Sequence, residues 1–270
     1  MITSPFEYVR ASSADDVLRL LAEHGEDAKL LAGGHSLLPM MKLRLAAPVV
    51  LVDIARVPEL SGVSVDGDDL VIGACTRHAA VAGSAEVLAD APLLARSASL
   101  VGDPQVRHRG TIGGSLVHAD PAADLPMAAL ALDARLEITG PSGTRTVPVD
   151  EFFRGFFDTV VGADEFLSAI RVPRRPRIGW GYEKFTRRAN DWAIVGVATI
   201  AGRIALANMG PTPLRASAAE RALASGASAA DAAALAAEGA APGADVHADE
   251  AFRAHLARVL TRRALESATR

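Results

Sequence analysis

Two short apolar runs, each ending in a glycine pair and then a hydroxyl, constrain this chain more than any other feature. They are Leu30-Leu31-Ala32-Gly33-Gly34-His35-Ser36 and Thr111-Ile112-Gly113-Gly114-Ser115. Paired glycines admit positive φ and put no Cβ in a ligand's way, so successive N–H groups can converge on an anion while Ser36 and Ser115 add hydroxyl donors. A diphosphate suits two such loops, although one Gly-Gly pair alone is also how helices and strands end. Neither segment is GxGxxG inside a βαβ unit and neither ends in Gly-Lys-Ser/Thr, so the dinucleotide and triphosphate fingerprints both lack their diagnostic residues.

The surrounding pattern alternates strands and helices. Ser13-Ala14-Asp15-Asp16 has capping-box spacing, and Val17, Leu20 and Leu21 then recur at helical intervals as far as Gly25. Lys29 to Ala32 and Val49 to Val52 are expected to be buried strands around the first glycine pair. Val63 to Ile72 around Asp66-Gly67-Asp68-Asp69 predicts a hairpin, and two or three short helices follow between Thr76 and Val101. Past the second pair, Asp124 to Leu132 is expected to be helical, Leu136 to Val149 a second hairpin, and Leu167 to Val172 a strand. Arg174-Arg175-Pro176-Arg177 is the best linker candidate, which places a boundary near 175. Beyond it, Gly181 to Arg187, Ala193 to Ala201 and Arg203 to Asn208 predict a small antiparallel sheet. Alanine-rich helices over 216–244 and a last helix with Phe252, Leu256, Val259, Leu260 and Ala264 on one face complete the chain.

Composition removes several function classes. With 28 basic against 32 acidic residues the formal charge is -4, which gives no footprint for nucleic acid. No run reaches the roughly 18–20 apolar residues of a membrane helix and the N-terminus lacks a signal-like pattern, so a cytoplasmic location is expected. The one cysteine, Cys75, rules out an internal disulfide or a four-thiolate cluster and is expected to be a half-buried small hydrophobe. No Ser-His-Asp order, activated thiol or carboxylate pair emerges, so no catalytic residue and no metal ligand set is assigned. Any one-electron chemistry must then ride on a bound organic cofactor.

The segments LLAGGHSLLPMMKLRLAAPVVLVDI and VGDPQVRHRGTIGGSLVHADPAADLP resemble the two FAD-diphosphate segments of the medium, flavoprotein subunit of the carbon monoxide dehydrogenase and xanthine dehydrogenase family of molybdenum hydroxylases. The likeness continues through EFLSAIRVP and YEKFTRRANDWAIVGVA and spans nearly the whole chain. It implies an α+β fold: a two-lobed FAD-binding domain over 1–175, with lobes 1–56 and 57–175, then a C-terminal antiparallel sheet plus helical bundle domain over 176–270. It also implies noncovalent FAD here, and a molybdenum cofactor and [2Fe-2S] clusters only on a large and a small partner subunit, in a dimer of heterotrimers.

Carried residue by residue, the resemblance places Ala32, Gly33, Gly34, His35 and Ser36, with Thr111, Ile112, Gly113, Gly114 and Ser115, around the diphosphate. Val101 and Leu167 fall near the flavin ring, Asp124 on the cofactor, Lys184 at the ring's polar edge and Trp192 over one face. Each has a plainer reading. Asp124 could favour a helix N-terminus, Lys184 could be an exposed strand residue, and Trp192 could be core or interface packing. His35 is expected to form hydrogen bonds, His118 to lie near the cofactor or against Asp120, and Arg107 and Arg109 to face solvent or a partner. Two alternatives from other classes are a self-contained flavin oxidoreductase and a flavin-free assembly subunit. Substrate and terminal acceptor are left open.

Overall fold

The first lobe forms because a capped amphipathic helix has only one face to bury. The computed structural model describes residues 2–269. Strand β1 (Glu7–Arg10) leads to helix α1 (Ala14–His24), where the Ser13 hydroxyl accepts from the Asp16 amide and Asp16 reaches back to Ser12, one residue earlier than a capping box requires. Val17, Leu20 and Leu21 point inward onto β2 (Ala28–Leu31) and, after helix α2 (Leu37–Lys42), β3 (Val50–Asp53). The strands lie parallel in the order β1-β3-β2, so the first glycine pair occupies the crossover from β2. Strand β1 carries Glu7 and Arg10 and has no apolar alternation, which is why the sequence does not announce it.

The second lobe is built on an antiparallel sheet. The hairpin β4 (Val63–Asp66) and β5 (Asp69–Gly73) comes first. Six short helices follow: α3 (His78–Gly83), α4 (Ala85–Asp90), α5 (Pro92–Ser99), α6 (Pro104–Arg107), α7 (Ile112–His118) and α8 (Asp124–Ala131). Then come β6 (Arg135–Gly140), β7 (Gly143–Pro148), the small pair β8 (Phe153–Gly155) and β9 (Asp158–Thr159), and the long β10 (Phe166–Pro173). The five-stranded order is β4-β5-β10-β6-β7, with β10 in the middle. Helix α8 is buried at every one of its positions, as expected of a helix apolar all round.

The C-terminal sheet, β11 (Trp180–Phe185), β12 (Val195–Ile200), β13 (Arg203–Ala207) and β14 (Leu214–Arg215), is covered on both faces. Its alternation splits it between two cores. Val195, Val197, Ile204 and Leu206 face helices α9 (Ser217–Ala224), α10 (Ala229–Ala234) and α11 (Glu250–Ala268), while Ala198, Ile200, Ala205 and Ala207 join the core of the second lobe. The stretch expected to be a linker is pinned: the Arg174 and Arg175 amides donate to the Asp68 and Asp90 carbonyls, and the Arg174 guanidinium pairs with Asp90.

Three other expectations change. Residues 235–249 are not helical: α10 ends at Ala234 in a turn, and Gly239, Pro242 and Gly243 interrupt the alanine-rich run that follows. In α11 the buried face reads Arg253, Leu256, Leu260 and Ala264, so Phe252 turns outward and Arg253 inward, where it meets the Ile194 carbonyl and Asp245. Cys75 is fully buried rather than half-buried, and burial pushes its thiol up to about 12. A thiolate-directed reagent at pH 8 is expected to leave Cys75 unmodified in the folded protein and to label it once denaturant is added; rapid labelling of native protein would contradict this burial.

Candidate functional site

Chain order puts both glycine segments on one seam. The β2 strand delivers Gly33 against the backbone that precedes Thr111: a Cβ on Gly33 would sit 2.5 Å from the Arg109 carbonyl oxygen and 2.7 Å from Gly110 Cα. Only a hydrogen fits there. Gly34 takes φ +76, the left-handed region, and starts the turn into α2. The amides of Ala32, Gly33, Gly34, His35 and Ser36 make no hydrogen bond among the described residues, and neither does the Ser36 hydroxyl. Consecutive amides without acceptors, on residues that are half-buried except for His35, are an anion-receiving arrangement.

The second glycine pair differs from the bend its sequence suggests. Thr111 is an N-cap, its hydroxyl accepting from the Gly114 amide at 3.1 Å, and Gly113 and Gly114 lie in the first turn of α7 without positive φ. Its amides are already used: Ile112 donates to Thr76, Gly113 to Ala74 and Ser115 to Thr111. Gly113 is needed for close approach, since a Cβ there would meet Ala74 Cβ at 2.5 Å. What this segment leaves open is the exposed Gly114 and the unpaired, half-buried Ser115 hydroxyl.

A second cluster lies at the N-terminus of α8. Asp124, 4% exposed, accepts from Lys184 Nζ at 2.9 Å through Oδ2 and from the Tyr182 hydroxyl through Oδ1. The ammonium is buried too and reaches the Leu100 carbonyl at 3.4 Å, beside Val101. Burial pushes the Asp124 carboxyl above its ordinary range, with Lys184 and Tyr182 pulling the other way. Burial and the neighbouring carboxylate hold the Tyr182 phenol well above its usual value, so it stays a donor. The plain reading of Lys184 as an exposed strand residue fails; the helix-N-terminus reading of Asp124 holds alongside its ion pair.

The remaining residues fall in three places. Leu167 is in the core of the second lobe on β10, next to Ser168, whose carbonyl accepts from the Ala74 amide. Trp192, 56% exposed, leaves the core and lines an open cleft of about 280 Å³ with Phe156 and Phe157. His118 packs against Phe157 with tilted rings whose centroids are 5.0 Å apart, and burial lowers its pKa, while the exposed His35 imidazole makes no hydrogen bond. Arg107 turns inward, donating to the Val101 and Gly102 carbonyls. Sequence reasoning missed Tyr182, two residues before Lys184 on β11, and the buried His78, which packs under Gly110. Strand periodicity was the available signal for Tyr182; nothing in the sequence marks His78.

The α+β scaffold thus offers free amides at a β-to-α crossover, suited to an anion, and a buried lysine–aspartate pair at the start of α8. Residues 4–175 match the model for the FAD binding domain in molybdopterin dehydrogenase, and residues 180–268 match the CO dehydrogenase flavoprotein C-terminal domain. The chain is 47% identical to the carbon monoxide dehydrogenase medium chain of Hydrogenophaga pseudoflava over 80% of its own length and 78% of the relative's. It superposes on the solved carbon monoxide dehydrogenase of that organism with a TM-score of 0.95, at 44% identity and covering 100% and 99% of the two chains. Quinoline 2-oxidoreductase from Pseudomonas putida 86 gives 0.93 at 33% identity, with the same coverage. The chain belongs to the FAD-binding medium subunits of the carbon monoxide dehydrogenase-like molybdenum hydroxylases.

Proposed function

We propose that this chain holds one FAD noncovalently and passes electrons from [2Fe-2S] clusters on a small partner subunit to a terminal acceptor, while a large molybdenum-cofactor subunit oxidises the substrate. The observation that carries this reading is the run of five consecutive free amides from Ala32 to Ser36, closed on one side by the Gly33–Gly110 contact. The residues present fit the cofactor. Ala32 to Ser36 would hold the diphosphate, with Ser115 and the bare edge of Gly114 completing the cradle. Asp124, Lys184 and Val101 are assigned to the flavin, the ammonium reaching the carbonyl next to Val101, and the exposed Trp192 is assigned to cover an aromatic face. Bound FAD would supply two-electron to one-electron conversion; the protein supplies placement, a buried cation and exclusion of water.

Lys184 favours the reduced, more negative form of a ring beside it because its charge sits in a poorly solvated place. Substrate choice is assigned to the large subunit: relatives named for carbon monoxide and for quinoline share this fold at TM-scores of 0.95 and 0.93. A dimer of heterotrimers is the proposed assembly. Among the described residues no helix is long and apolar enough to cross a membrane, in keeping with a proposed cytoplasmic location.

The test is co-expression with the two partner subunits and measurement of bound flavin. One FAD per chain, released intact by denaturation, is expected. Folded complex that stays colourless in excess FAD would leave the flavin-free assembly role, and turnover of an organic substrate by this chain alone would favour the self-contained oxidoreductase.

A further inference from the structure

The Asp124–Lys184 pair contains a third member whose polar atom packing alone does not require. Tyr182 and Lys184 are two residues apart on β11, so both side chains fall on the face that covers the start of α8. Each takes a different oxygen of the same carboxylate, Tyr182 donating to Oδ1 and Lys184 to Oδ2. A phenylalanine would fill the same space without bringing a hydroxyl into the interior, and a buried hydroxyl is costly unless it is used. On α5, the Ser97 hydroxyl is fully buried near the phenol and has no hydrogen-bond partner among the described residues.

We propose that Tyr182 is a positioning residue for the site's cation: it occupies Asp124 Oδ1, so that the carboxylate shares Lys184 through one oxygen and does not withdraw it. This rests on the flavin reading above. An ammonium has three donors, and Lys184 uses one on Asp124 at 2.9 Å and a longer one on Leu100 at 3.4 Å. The third stays free for an acceptor on the cofactor. Without the phenol hydrogen, Oδ1 is a buried acceptor with no donor, and the nearest remedy is for the carboxylate to chelate Lys184 with both oxygens. The ammonium then leaves the cofactor edge and the reduced flavin loses stabilisation.

The experiment measures the flavin midpoint potential in the assembled complex for wild type, Tyr182→Phe, Lys184→Met and the double variant. Tyr182→Phe is expected to retain FAD while lowering the ratio of affinities for reduced over oxidised flavin about tenfold, about 30 mV for a two-electron couple. In the Lys184→Met background the same change is expected to do nothing further, because the coupling runs through the ammonium. Tyr182→Gln, whose amide can also donate to Asp124, is expected to stay within about threefold of wild type, and reads the same coupling if the phenylalanine variant fails to assemble. An unshifted potential in Tyr182→Phe, or an equal shift with and without Lys184, overturns the positioning role; a wild-type complex that carries no flavin overturns the functional reading as well.

Discussion

A Gly33→Ala variant is expected to emerge from purification without flavin, its affinity for FAD reduced about 100-fold or more, a loss of about 2.7 kcal/mol. The reason is steric. The new methyl carbon would lie 2.5 Å from the Arg109 carbonyl oxygen and 2.7 Å from Gly110 Cα, both backbone atoms that no rotamer change can move aside. The first loop must back away from the segment entering α7, and amides that have to converge on one anion lose their common focus. Overpacking of this kind costs about 1–3 kcal/mol in stability, so the protein is expected to fold while the site fails. Gly83→Ala, where a Cβ meets nothing within 4 Å, is the control. Flavin-to-protein absorbance ratios and fluorescence titration read both, and a Gly33→Ala protein with undiminished FAD content would remove Ala32–Ser36 from the cradle.

Lys184→Met is expected to destabilise the protein by about 3–5 kcal/mol at pH 8, because it strands the Asp124 carboxylate in the interior. The loss depends on pH, and its sign follows from the direction of the shift. Burial already raises the Asp124 pKa in the folded state, and removing Lys184 takes away the largest opposing influence. The folded variant then holds a proton that the unfolded chain gives up near pH 4, so its stability falls as pH rises through the interval between the two values. Part of the deficit should therefore return at pH 5. Denaturant melts at pH 5 and pH 8 measure it; a deficit equal at both, or larger at pH 5, would show that Asp124 does not carry the charge assigned to it.

Local rules made much of this molecule readable. The Ser13 cap with Val17, Leu20 and Leu21 on one face specifies α1, and the turn residues around Gly67 and Gly143 specify two hairpins with the strands that flank them. Of the candidate site, the glycine pairs at 33–34 and 113–114 were legible from residue type and position, while the acid at 124 and the base at 184 entered only through the family resemblance. Their partners were not legible. That Asp124 faces Lys184, sixty residues away, and that Gly33 needs its missing Cβ because of Gly110 are facts of packing. The second pair misled because Gly-Gly after an apolar run looks the same whether it bends the chain or opens a helix; the deciding bonds, from Ile112 to Thr76 and Gly113 to Ala74, come from a remote loop.

By itself the sequence determined the periodicities, the turns and the chemical types available, since these depend on neighbours a few positions apart. The tertiary structure alone decided which amides remain free for an anion, that the pinned 174–175 segment joins two parts sharing one core, and that Tyr182 and Lys184 close on one carboxylate. Those outcomes depend on desolvation and close contact between distant segments, and neither exists until the chain is packed.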